Sequence, residues 1–123
     1  MNAKEARESA TRIVKLEQNY RLGRQIWEDE KMLETAVENA VRRGCLVADT
    51  QIEFDPKIDY DCGDADCHIG KFHSKAEYVE RLINLYVNDG YAIRYEYADC
   101  VFVPYDGSIK CTPGRILRLE ISW

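Results

Sequence analysis

The amino-acid sequence predicts an α+β protein. The architecture is a two-layer sandwich, with a long N-terminal helical region and one further helix packed on a mainly antiparallel sheet of about four strands. Three observations predict it. Residues 3–43 lack proline and are rich in Ala, Glu, Arg, Lys and Leu, the strong helix formers. Residues 75–89 repeat apolar side chains at helical spacing between a capping motif and a glycine. Three other segments alternate apolar and polar residues as half-buried strands do, and a short fourth, 100–103, stops at Pro104.

In the first helix, Ile13, Leu16, Tyr20, Gly23 and Trp27 fall at alternating spacings of three and four. A second set, Met32, Leu33, Ala36, Val37, Ala40 and Val41, does not share that face cleanly. Gly23 and the acidic run Glu28-Asp29-Glu30 are the expected places for a kink or break. Arg42 and Arg43 suit the negative end of the helix dipole, and Gly44 suits a left-handed stop. The predicted division is an extension over 1–31 and an α+β domain over 32–123, with an irregular inserted loop at 55–73.

Residues 46–54 read as the first strand, with Leu46, Ala48, Thr50, Ile52 and Phe54 on one face. Ser74-Lys75-Ala76-Glu77 is a capping box, in which the serine hydroxyl accepts from a free N–H and the glutamate reaches back. Val79, Leu82, Ile83 and Tyr86 form the stripe of the helix that follows, and Gly90 ends it. Residues 91–97, 100–103 and 115–123 read as three further strands, with turns at Tyr105-Asp106-Gly107 and Thr112-Pro113-Gly114. Asp49, Gln51, Glu53, Arg94, Glu96, Arg118 and Glu120 are expected to share the water-facing side and to pair across strands.

Composition narrows the function. The 123 residues carry a formal charge of −5, and 46% are hydrophobic, as in one ordinary globular domain. Residues 49–66 hold seven acidic residues and one lysine, and no basic stripe marks a nucleic-acid binder. No apolar run is long enough for a membrane span, and the charged start lacks a signal-peptide core. The expected location is a cytoplasm, with the five cysteines reduced.

The loop holds the main candidates for chemistry. Cys62, Cys67 and His73, completed by Cys100 or Cys111, are thiolate and imidazole donors suited to a structural zinc. His68 is adjacent to Cys67 and poorly placed to share the same ion. A Cys62–Cys67 disulfide and a plain polar loop are the alternatives, and no cofactor is otherwise expected. Asp59, Asp61, Asp64 and Asp66 form an acidic patch. It reads as a solvated surface, or as a binding site for a protein partner with a basic surface. The EF-hand pattern is not met. No catalytic residue is assigned, because the sequence offers neither a phosphate-binding motif nor a coherent acid–base set. Tyr91, Tyr95 and Tyr97 read as a core layer, or as rings lining a ligand pocket. Ile13, Leu16, Tyr20 and Trp27 form a candidate interface for homo-oligomerisation, since a helix this long outruns the domain it serves.

The segments ETAVENAVRRG, YVERLINLYVNDGYAI and RILRLEISW resemble a pattern in small proteins of tailed bacteriophages. That resemblance covers roughly residues 32–54 and 75–123. It implies a phage or prophage origin and carries over no functional residue. The expectation it supports is a non-enzymatic accessory protein that acts in the host cytoplasm by binding a protein, such as a defence or regulatory factor. The alternatives are a virion component assembled through the N-terminal helix and a binder of a small nucleotide-type signal.

Overall fold

In a computed structural model, α1 spans Ala3–Arg42 as one α-helix of 40 residues, about 60 Å long at 1.5 Å per residue. The break expected at Gly23 or at Glu28–Glu30 does not occur, since the helix is continuous through both. No proline interrupts the hydrogen-bond ladder, and one ion pair a turn long stands on each side of Gly23. Arg21 meets Glu17 at 2.7 Å and Arg24 meets Glu28 at 3.0 Å. Asn2 caps the start by accepting from the Glu5 N–H at 2.9 Å. The structure describes residues 1–61, 69, 72–103 and 107–123, with only the backbone described for 99–103 and 108–114.

Both helices end in the same way. Gly44 takes φ +72°, and the Cys45 N–H donates back to the Ala40 carbonyl at 2.9 Å. After α2 (Lys75–Asn88), Gly90 takes φ +95° and the Tyr91 N–H donates to the Tyr86 carbonyl at 3.0 Å. These are Schellman stops, which need a residue that tolerates the left-handed region. Tyr91 also stacks edge-on against Tyr86, the apolar contact that accompanies the motif. At the start of α2, Ser74 accepts from the Glu77 N–H at 3.2 Å. The return half of the box is displaced by one residue, because the Glu77 carboxylate takes the His73 N–H at 2.9 Å.

The sheet has three strands, β1 (Val47–Glu53), β2 (Ala92–Val103) and β3 (Ser108–Ser122), in the order β1-β3-β2 and antiparallel throughout. The expectation of about four strands is corrected here, since 91–97 and 100–103 belong to one strand. They are joined at a register shift between Ala98 and Cys100. Ala98 pairs with Ile116 and Cys100 with Cys111, so β3 has four residues, 112–115, where β2 has one. Thr112-Pro113-Gly114 therefore forms the long side of an irregularity within β3 instead of a turn before it. Proline lacks the N–H a regular ladder would need, and it sits where the ladder is interrupted.

The core lies between the inner sheet face and the two helices. Leu22, Ile26 and Leu33 of α1 and Tyr78, Val79 and Leu82 of α2 pack with Ile52, Phe54, Leu117, Leu119 and Ile121. Tyr60, Ile69 and Phe72 from the long connection close one end. Core residues of α1 begin at Leu22, and none of residues 3–21 is buried.

Candidate interaction surface

Two rows of side chains run along α1 on different faces. Leu22, Ile26, Asp29, Leu33 and Ala40 are buried. Ile13, Leu16, Tyr20 and Trp27 are 62–70% exposed. At 100° per residue the rows lie about 140° apart around the helix. Trp27 shows the separation best. It stands one residue from the buried Ile26 and is still 64% exposed. The outer row is thus not a loose continuation of the core, and it keeps its own heptad spacing across residues 13–27.

Gly23 lies on this row. A Cβ built there meets nothing within 4 Å, and its backbone is helical. Glycine inside a helix costs about 1 kcal/mol relative to alanine. Neither packing within the chain nor backbone conformation calls for it. The row therefore combines four exposed large apolar groups with one gap.

The outer sheet face is polar, as expected. Register places Asp49, Glu120 and Arg94 in one row and Gln51, Arg118 and Glu96 in the next. Arg118 approaches Glu96 at 3.9 Å, and Arg115 meets Glu53 at 3.1 Å. An open depression of about 840 Å³ there is lined by Asp49, Gln51, Arg94, Glu96, Arg118 and Glu120, together with Met32, Thr50, Tyr95 and Leu119. Charged side chains of both signs line it, an arrangement that keeps the face solvated. Tyr91 packs on Tyr86 and Trp123. Tyr97 rests by Phe54 under the Lys75 ammonium, and Tyr95 is half exposed on the edge strand. The three tyrosines do not converge on a shared cavity.

One polar group lies deep in the core. Asp29 is 1% exposed, accepts a hydrogen bond from the Tyr78 hydroxyl, and accepts a second from Gln25 Nε2 at 2.7 Å. Burial pushes its carboxyl up to about 6, against the opposing pull of those two bonds. Burial also raises the phenols of Tyr78 and Tyr60 well above the usual range. A perturbed carboxyl is a common mark of a catalytic site. Here both oxygens are already engaged within the chain, which makes Asp29 a link between helices. Sequence reading placed Asp29 in a break. The signal that would have found it is its spacing of seven from Leu22 and four from Leu33, both on the buried row.

In the long connection, the Asp61 N–H donates to Asp59 at 3.0 Å, and His73 Nδ1 lies 3.0 Å from Asp61. Asp59 and Asp61 thus make contacts at the described start of the connection and at its junction with α2. Cys62, Asp64, Asp66, Cys67 and His68 lie outside the described residues. So do the side chains of Cys100 and Cys111. Among the described residues no group of three His, Cys, Asp or Glu is placed to hold a metal, and no helix is long and apolar enough to cross a membrane.

Fold and surface together define a class, a small α+β domain carrying a helix longer than the domain, with an apolar seam turned to solvent. No protein-family model, curated protein or solved structure matches the chain.

Proposed function

We propose that the protein is a non-enzymatic binding protein that assembles with other protein surfaces through the outer seam of α1. One observation carries this reading: Ile13, Leu16, Tyr20 and Trp27 stay 62–70% exposed in a heptad row about 140° from the row that builds the core. Scattered exposed apolar residues are ordinary on a protein surface, but four large ones in a coiled-coil register are not. Each contributes roughly 1.5–3 kcal/mol when fully buried, so the seam has the means to offset the cost of association. Of the roles expected from the sequence, assembly through the N-terminal helix draws most on this geometry. A phage setting, whether in the virion or against a host factor, rests on the resemblance of the three quoted segments. The acidic loop has weaker support as a docking site, because Asp59 and Asp61 serve contacts within the chain.

The test is native mass spectrometry and light scattering of the chain expressed in its source cell, beside a Leu16→Glu, Tyr20→Glu double variant. The wild type is expected in complexes heavier than one 14.3 kDa chain. The variant is expected at the single-chain mass with an unchanged far-ultraviolet spectrum. If both run as single chains, the seam is not a binding surface.

A further inference from the structure

We infer that a second copy of this chain pairs with the open edge of β2, antiparallel about a two-fold axis at Tyr95, so that the two sheets run on as one. This surface is separate from the outer seam of α1 and does not depend on it. In the order β1-β3-β2, β2 pairs with β3 along one side, and among the described residues no strand pairs with the other. From Ala92 to Ala98 its ladder is regular, and the segment carries no proline, lysine or bulge. Those are devices by which natural proteins blunt a strand edge against further pairing. The charges it does carry, Arg94 and Glu96, are of opposite sign. Tyr95 and Tyr97 lie on the core-side row of the sheet and are still 52% and 44% exposed, while their ladder partners Leu119 and Leu117 are buried. The chain's own core therefore stops short of this edge.

Charge selects the partner and the register. A two-fold axis between antiparallel strands that share their faces sets one residue opposite itself. With Tyr95 opposite Tyr95, Arg94 of each copy faces Glu96 of the other on the outer side, twice over, and Ile93 faces Tyr97 on the core side. Moving the axis by one residue sets Arg94 on Arg94 or Glu96 on Glu96. Moving it by two, to Ile93 or Tyr97, sets Arg94 opposite Ala92 or Glu96 opposite Ala98. Of these axes only the one at Tyr95 pairs opposite charges, which stabilise facing strands where like charges destabilise them. It also continues the order within the chain, where Arg94 stands opposite Glu120 and Glu96 opposite Arg118. Each row of the joined sheet then reads Glu120, Arg94, Glu96, Arg118, with alternating sign. The other edge has no such match, because the charged residues of β1, Asp49 and Glu53, are both acidic. A contact of one strand per copy is small, so the dimer belongs with the weak interfaces and comes apart in dilute solution.

The test uses the full chain in sedimentation equilibrium, from dilute to concentrated solution, with folding followed by circular dichroism. The wild type is expected to pass from one chain to two. Arg94→Glu and Glu96→Arg, each alone, set like charges in both contacts and are expected to weaken the dimer about tenfold or more. An equimolar mixture of the two variants restores opposite charges in both contacts and is expected to recover the dimer as a heterodimer. Variant dimers as tight as the wild type's, or a folded mixture that stays single, overturn the pairing. A measurement without substitution reads the register: mixed labelled and unlabelled wild-type chains are expected to show NMR contacts between Ile93 of one copy and Tyr97 of the other. A dimer without them overturns the axis at Tyr95. A wild type that stays single at every concentration overturns the inference and leaves the α1 seam to its own test on complexes from the source cell. A dimer lost in the Leu16→Glu, Tyr20→Glu variant and kept in Arg94→Glu supports the seam and overturns the edge. The reverse pattern supports the edge whatever becomes of the seam.

Discussion

The Tyr78 hydroxyl of α2 donates to the Asp29 carboxylate of α1 in the interior, across 49 residues of sequence. Both residues are at most 1% exposed. The bond joins the helices where apolar packing alone would leave their relative rotation and sliding weakly determined. A buried polar group that must find one partner selects one arrangement. With α1 held by its buried row, the outer row is turned to solvent.

The position of Asp29 sets a pH dependence. Its carboxyl is raised to about 6 from the ordinary value of 3.8, so between these values the folded state binds more protons than the unfolded state. Its contribution therefore favours the fold at low pH and is lost as pH rises through about 6. Asp29→Asn removes that loss. The stability of wild type minus variant is expected to fall by about 3 kcal/mol between pH 3.5 and pH 7.5. Urea denaturation at the two pH values measures it, and a constant difference would show that Asp29 is not desolvated in this way.

Tyr78→Phe leaves Asp29 with Gln25 as its remaining hydrogen-bond donor. The expected cost is about 1–3 kcal/mol at pH 7.5, where the carboxylate is charged, and less at pH 4.5. The same denaturation series reads both values. The Asp29 pKa, followed by carbon NMR of the carboxyl, is expected to rise further, because the lost bond was holding it down.

The two rows of α1 should respond differently to truncation. Leu33→Ala empties a site that is 1% exposed and is expected to cost about 2–5 kcal/mol. Leu16→Ala alters a residue that is 62% exposed and is expected to change monomer stability by less than about 0.5 kcal/mol. Melting at dilute concentration separates them. Comparable losses at the two positions would mean that the outer row packs within the chain.

Three glycines make a parallel contrast. Gly44 and Gly90 sit at φ +72° and +95°, so alanine there is expected to cost about 1 kcal/mol each. Gly23 is helical with open space around it, so Gly23→Ala is expected to stabilise the monomer by about 0.5–1 kcal/mol. Thermal unfolding of the three variants at dilute concentration checks the signs.

Much of the fold was legible because it depends on local chemistry. The uninterrupted run of helix formers, the Ser74 cap, the stops at Gly44 and Gly90 and the alternation in 46–54 and 115–123 act within a few residues. Their outcome is written where they occur. The charged outer face followed from the same alternation. The heptad spacing of Ile13, Leu16, Tyr20 and Trp27 was equally visible, although spacing does not say whether a row faces a core or water.

What the sequence determined by itself was therefore the class of each element, the stops of both helices and the face each strand turns to solvent. Tertiary structure decided what depends on partners distant in sequence. It placed Asp29 inside because Tyr78 was there to bond it, and it carried β3 through Thr112-Pro113-Gly114 because β2 tolerates the register shift at Ala98. It also set the two rows of α1 to opposite fates. A helix has only one face to give its own domain. The buried row won that face by matching the sheet and α2, and the row of Tyr20 and Trp27 was left to the solvent.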